Sequence, residues 1–233
     1  RMVSDMSDML DKTIGVSVSK RNVSGRAYND GISIRGLGGK RVNILIDGIR
    51  VAEAYTGYGR DVVDVDLLKR VEILKGPSSA LYGSDGLAGA ISYITKDASD
   101  LADFGESYFS VNTSYDEDNE QTKVGFIAAR VGENIETLLQ VTSRELSQLE
   151  LHYDATQELD PFDGEQTSIL AKFQFNLSES VDATLTLDHQ EFEGDYIFNS
   201  QAGMSYFPQV TSTSNVLGMD DGHRERGTIA LSF

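Results

Sequence analysis

From about residue 104 onward the chain alternates apolar and polar side chains with a period of two, in runs of about ten residues. Phe109, Val111, Thr113 and Tyr115 alternate with Tyr108, Ser110, Asn112 and Ser114, and Ile135, Thr137, Leu139 and Val141 with Glu136, Leu138, Gln140 and Thr142. Ile169, Ala171, Phe173, Phe175 and Leu177, then Val181, Ala183, Leu185 and Leu187, then Ile229, Leu231 and Phe233 continue the pattern. With a less regular run over 122–131, six strands are predicted, each with one apolar and one polar face. Globular strands average about 5 to 6 residues, whereas a tilted membrane strand needs about 9 to 11. No stretch approaches the roughly 18 consecutive apolar residues of a membrane helix, so a helical membrane protein is excluded. A transmembrane β-barrel gives no hydropathy peak and survives that test.

The connections between these runs point the same way. Residues 116–120, 132–134 and 178–180 are short, and 147–164 and 194–223 are long. Tight turns alternating with long loops are expected of an outer-membrane barrel, with its turns on the periplasmic side and its loops outside. A soluble β-sandwich with variable loops is the alternative.

Charge and cysteine usage narrow the partners. Against 20 basic residues stand 37 acidic ones, a net charge of -17 without any basic run, which repels phosphate and excludes a nucleic-acid binder. There is no Cys, so no disulfide framework and no thiolate metal site. No apolar leader follows Arg1 and Met2, so either a leader was removed or the chain begins inside a domain.

Residues 1–102 read differently, as a mixed α/β unit. Ser4 is placed to cap a short helix carrying Met6, Met9 and Leu10, closed by Gly15. Strands are predicted at 32–35, 42–46 (extending to 51), 71–74 and 90–95, bounded by glycine-containing turns. Pro77 is placed to start a short helix ending at Gly83. The glycines at 36–39 precede a strand instead of opening a helix, which rejects a nucleotide loop.

Two segments of this half, GISIRGLGGKRVNILIDGIRV (31–51) and VEILKGPSSALYGSDGLAGAISYITK (71–96), resemble the paired signatures of the plug domain of TonB-dependent outer-membrane receptors. The resemblance covers about residues 3–102. It implies a plug domain over 1–102, followed over 103–233 by the first six or so strands of an antiparallel β-barrel of about 22 strands. In the family, an Arg in the IRG segment and another before GP pair with barrel carboxylates. Arg35 matches, but the second position is Lys75, which keeps the charge and loses the bidentate fork. Arg35, Arg41, Glu72 and Lys75 are the expected plug–barrel contacts.

Within that family the chain is most similar to the haem and haem-protein receptors, which grip haem with a plug His and a barrel-loop His. Here the plug has no His, and His152, His189 and His223 all follow residue 150. The expected ligand-binding residues are therefore Tyr55 and Tyr58 on the plug apex at 52–60, with His152, His223, Tyr196 and Tyr206 on the long barrel loops. Tyr is a known axial haem ligand; the competing reading of each is packing or a plain polar loop residue. The acidic runs around 116–120 and 154–165 read as solvated loop tips, lacking the spacing of a calcium loop.

The resemblance implies a non-enzymatic transporter in the outer membrane of a Gram-negative bacterium. Its ligand is expected to be haem or a haem protein, with a ferric siderophore as the alternative, and haem enters as cargo with no intrinsic cofactor. Its partners would be outer-membrane lipid and TonB, the latter through a segment before Arg1, with further strands expected past Phe233. The rival from another class is a non-transporting β-rich surface protein that binds a partner through its long loops.

Overall fold

The computed structural model describes residues 9–10, 12–18, 32–51, 63–78, 86–117, 120–147, 161–178, 180–197, 203–205, 211–213 and 216–232. The chain forms two compact units that divide between Leu101 and Ala102.

In the first unit β1 (Val16–Val18) pairs antiparallel with β2 (Ile32–Ile34). A second sheet holds β3 (Val42–Ile46), β4 (Ile49–Arg50), β5 (Leu68–Lys75) and β6 (Gly89–Thr95) in the order β4-β3-β6-β5. β3 runs parallel to β6, and both edge strands are antiparallel to their neighbours. Every residue of β3 is buried, which is why its sequence reads as a nearly continuous apolar run and not as an alternation. Ile32, Ile34, Val42, Ile44, Ile46, Ile91 and Tyr93 form the core of this unit, and Leu10 joins them.

The strand expected to run from 42 to 51 instead doubles back at Asp47-Gly48. Their φ values of 49° and 79° are the left-handed pair of a two-residue hairpin turn. The Asp47 carboxylate fixes the turn by accepting from the Thr95 backbone N–H at 2.9 Å and from its hydroxyl at 2.9 and 3.0 Å. The IRGL segment makes a second such turn. Arg35 and Gly36 have φ of 52° and 78°, and Ile34 and Leu37 exchange two backbone hydrogen bonds of 3.0 Å. Of the predicted N-terminal helix, Met9 and Leu10 are helical. Pro77 and Ser78 carry no helix, and 79–85 lie outside the described residues.

The second unit is a six-stranded antiparallel sheet: β7 (Ser107–Asp116), β8 (Gln121–Val131), β9 (Ile135–Ser147), β10 (Phe162–Ser178), β11 (Val181–Ile197) and β14 (Leu217–Ser232). A short hairpin, β12 (Gly203–Ser205) with β13 (Thr211–Thr213), lies between β11 and β14 in sequence. The order β14-β11-β10-β9-β8-β7 follows the chain, so each long strand pairs with the next. Strands β10, β11 and β14 are longer than the sequence suggested, at 17, 17 and 16 residues. Beyond Leu187 the apolar-facing positions become His189, Glu191, Glu193 and Asp195, so the strand continues where its hydrophobic alternation does not. Tyr196 and His223, expected in a loop, therefore lie within β11 and β14.

The register aligns the predicted apolar positions on one face. Val111 pairs with Phe126, Phe126 with Val141, Val141 with Ile169, and Ile169 with His189. That face is the exposed one: Phe109 is 67% exposed, Val111 61% and Ile229 78%, while Gln140, Thr142, Ser168 and Asp188 on the other face are buried. A soluble sandwich buries its apolar face and hydrates its polar one. Ile127, Leu138, Leu170 and Phe192 share the buried face, but the face that carries most of the apolar side chains is the exposed one, which speaks against a sandwich and is the arrangement of a lipid-facing wall.

The upper limit of the apolar side chains shifts in one direction across the sheet, from Tyr115 on β7 through Val124, Val141 and Ile169 to Leu187 and Ile229, with Val141 and Ile169 level. Followed through the register, the shift is about one to two residues per strand. With about 3.4 Å per residue and about 4.8 Å between strands, that is a tilt of roughly 35–55° from the normal to the apolar band, which overlaps the roughly 35–45° of barrel strands.

Candidate functional site

The buried polar face of the second unit carries the densest chemistry among the described residues. At one end of β10 and β11, Phe162, Phe192 and Tyr196 form an aromatic cluster, each at most 4% exposed. The Phe162 ring lies 4.8 Å from that of Tyr196 and stacks on Phe192 at 6.4 Å and 11°. Register explains the packing. Phe162 pairs with Tyr196, and the next same-face pair is Gly164 with Gly194. A Cβ on Gly164 would stand 2.4 Å from the Phe162 ring and one on Gly194 2.7 Å from it, so the two glycines make the depression the ring fills.

Cationic and amide groups follow along the same strands. Arg144 pairs with Gln166 and Gln166 with Phe192; in the next row Thr142, Ser168, Gln190 and Arg224 are successive neighbours. One row further, Asp188 lies between two guanidinium groups. Arg224 donates to its Oδ1 from Nε at 3.4 Å and from Nη2 at 3.3 Å, and Arg226 Nη2 approaches Oδ2 at 3.8 Å. With Lys123 and Lys172 this face carries five basic groups in an acidic chain. Gln190, 4% exposed, has both amide atoms without a hydrogen bond, as does the Thr142 hydroxyl. Buried polar atoms left so cost about 1–3 kcal/mol each unless water or a ligand meets them. The face sets a buried aromatic cluster beside guanidinium and amide groups, and among the described residues it shows no nucleophile–base pair.

The expected site residues divide by location. Tyr55, Tyr58, His152 and Tyr206 lie outside the described residues. Tyr196 sits in the aromatic cluster, whereas His223 lies on the exposed face of β14, opposite Glu191. In the first unit Arg35 occupies the turn before Gly36, its backbone N–H donating to the Gly15 carbonyl at 2.7 Å. The Arg41 carbonyl accepts from Ala88 N–H at 2.9 Å. Glu72 accepts from Arg70 Nε at 2.7 Å, and Lys75 Nζ donates to the Ile14 carbonyl at 2.6 Å. Phe162, Phe192, Arg144, Arg224, Arg226 and Gln190 were not singled out from sequence, because only the register brings their positions together.

Residues 1–90 match the family model described as TonB-dependent Receptor Plug Domain. The chain belongs to the TonB-dependent receptors. Across 212 residues the receptor is 31% identical to Hemoglobin-binding protein A of Haemophilus influenzae, covering 81% of this chain and 21% of that protein. It is 40% identical over 88 residues to the Vitamin B12 transporter BtuB of Vibrio vulnificus, covering 38% of this chain and 14% of that one. The fold matches the FrpB iron transporter of Neisseria meningitidis with a TM-score of 0.76 at 20% identity, over 97% of this chain and 35% of that chain. The receptor chain thus spans about a fifth or less of the length of these two relatives and has the fold of a plug followed by antiparallel strands of a barrel receptor.

Proposed function

We propose that this chain is the plug (1–102) and first six barrel strands (103–233) of an outer-membrane transporter that takes up haem, free or from a haem protein. TonB would engage a segment before Arg1 and drive movement of the plug. The observation that carries the reading is the inverted sheet of the second unit, with an apolar exposed face and a polar buried one. That is a membrane-spanning wall with a hydrophilic interior.

Haem is preferred to other cargo for two reasons. The similarity to a haemoglobin-binding protein extends over 81% of the chain, whereas that to a cobalamin transporter covers 38%. The polar face also carries guanidinium groups, which match the carboxylate edges of the macrocycle. A ferric siderophore is the second reading, favoured by the five basic groups, since many such chelates are anionic.

Titrating the full-length receptor with haemin tests the assignment. Saturable binding with a shifted Soret band is expected. No shift, together with tight binding of a ferric siderophore, would overturn haem in favour of the second reading.

A further inference from the structure

On the exposed face of β11 and β14 a short motif occurs twice: His189-Gln190-Glu191 on β11 and His223-Arg224-Glu225 on β14. The register pairs His189 with Glu225 and Glu191 with His223, so the two His-x-Glu units lie antiparallel, each imidazole opposite a carboxylate. Because side chains alternate across a strand, Gln190 and Arg224 turn to the polar face and leave two imidazoles and two carboxylates together on the other. They occupy a near-rectangle of about 5 Å across the strands and about 7 Å along them. His189 sits between both carboxylates, its Nδ1 3.5 Å from Glu225 Oε1 and its Nε2 4.0 Å from Glu191 Oε2. The side chains of Glu191 and Glu225 are 52% and 75% exposed, and that of His189 34%. As they stand, no three His, Asp or Glu side chains among the described residues converge on a metal position. The four lie on a surface where side chains can exchange staggered rotamers without moving the backbone.

We propose that His189, Glu191, His223 and Glu225 close on one divalent transition-metal ion, with Zn2+ the best match. Two neutral imidazoles and two carboxylates complete a four-coordinate tetrahedral site and neutralise the ion. Imidazole selects such metals over Mg2+ and Ca2+, which take oxygen ligands. The neighbouring residues favour a cation as well. The next same-face pair is Glu193 with Asp221, and the row continues through Glu165 to Glu145. Like charges directly opposite each other destabilise a sheet, and a dication two residues away offsets that repulsion. The ion would tie β11 to β14, strands separated in sequence by residues 198–216 and placed side by side by the register. It is independent of what the receptor transports.

The test is a titration of the purified protein in detergent, stripped with EDTA, with Zn2+ followed by calorimetry and with Co2+ followed by its visible spectrum. One Zn2+ per chain and an intense tetrahedral Co2+ spectrum are expected. His189→Ala and His223→Ala should each weaken Zn2+ by at least about tenfold, with unchanged strand circular dichroism, because both positions reach solvent. A Glu193→Gln, Asp221→Asn double variant should bind Zn2+ within a few-fold of the parent. Absence of saturable binding, affinity unchanged in both histidine variants, or equally strong competition by Mg2+ would each overturn the proposal.

Discussion

Gly89→Ala should loosen the first unit at the pairing of β5 with β6. Gly89 has φ of 152°, and a Cβ there would stand 2.1 Å from the Leu74 carbonyl oxygen and 2.9 Å from Ile34 Cδ1. Comfortable non-bonded separations are about 3.5 Å, so the two strands must part by more than about 1 Å. Hydrogen bonds stretched from about 2.9 Å to beyond about 3.6 Å no longer count as bonds. The 3.0 Å bond from Gly76 N–H to the Ala88 carbonyl lies next to the clash. Two bonds lost at about 1 kcal/mol each, with about 1–3 kcal/mol for the strained backbone, give about 3–5 kcal/mol. At about 1.4 kcal/mol per factor of ten, amide exchange through opening of β6 should accelerate by about two to four orders of magnitude. Hydrogen-exchange mass spectrometry of peptides spanning 89–95 reads this directly. Gly105→Ala is the control. It also has a positive φ, 81°, but nothing within 4 Å of its Cβ, so it should cost about 1–2 kcal/mol and leave β6 exchange unchanged. Unchanged β6 protection in Gly89→Ala, or the same acceleration in both variants, would refute the steric argument.

Two further outcomes test the second unit. Leu185→Arg places a charge within the apolar band and should cost about 2–4 kcal/mol in refolding into lipid vesicles, whereas Glu193→Arg, on the same face of β11 beyond the apolar side chains, should cost about 0–1 kcal/mol; equal costs would mean that the apolar face does not meet lipid. Gly164→Ala should destabilise through its 2.4 Å approach to the Phe162 ring and be tolerated in a Phe162→Ala background, where that ring is gone, so a double-mutant cycle in urea should show coupling of about 1 kcal/mol or more.

Much of the fold was legible where local chemistry decides it. Asp47-Gly48 and Arg35-Gly36 are two-residue turns in which glycine takes its positive φ without strain; the first was nonetheless read through as a strand, since Ile49 and Val51 continue the β pattern, and Arg35 was placed in the strand before the second. The apolar parity of the long strands was correct from Phe109 to Leu231, because lipid-facing positions must be apolar whatever their neighbours. The parity failed as a guide to length. Past Leu187 the exposed positions hold carboxylates and histidines, and backbone pairing together with the aromatic cluster on the other face carries β11 on to Ile197.

The sequence by itself determined the family, through the plug signatures, and determined that its alternating runs between Phe109 and Leu231 form strands with one apolar face, since a period of two admits no other regular element. Only the tertiary structure decided which residues share a site. Register sets that choice, and a shift of one residue exchanges the two faces of a strand. It placed Tyr196 against Phe162 in a buried cluster, gathered Arg224, Arg226 and Asp188 from strands 36 and 38 residues apart in sequence, and put two His-x-Glu units opposite each other on β11 and β14.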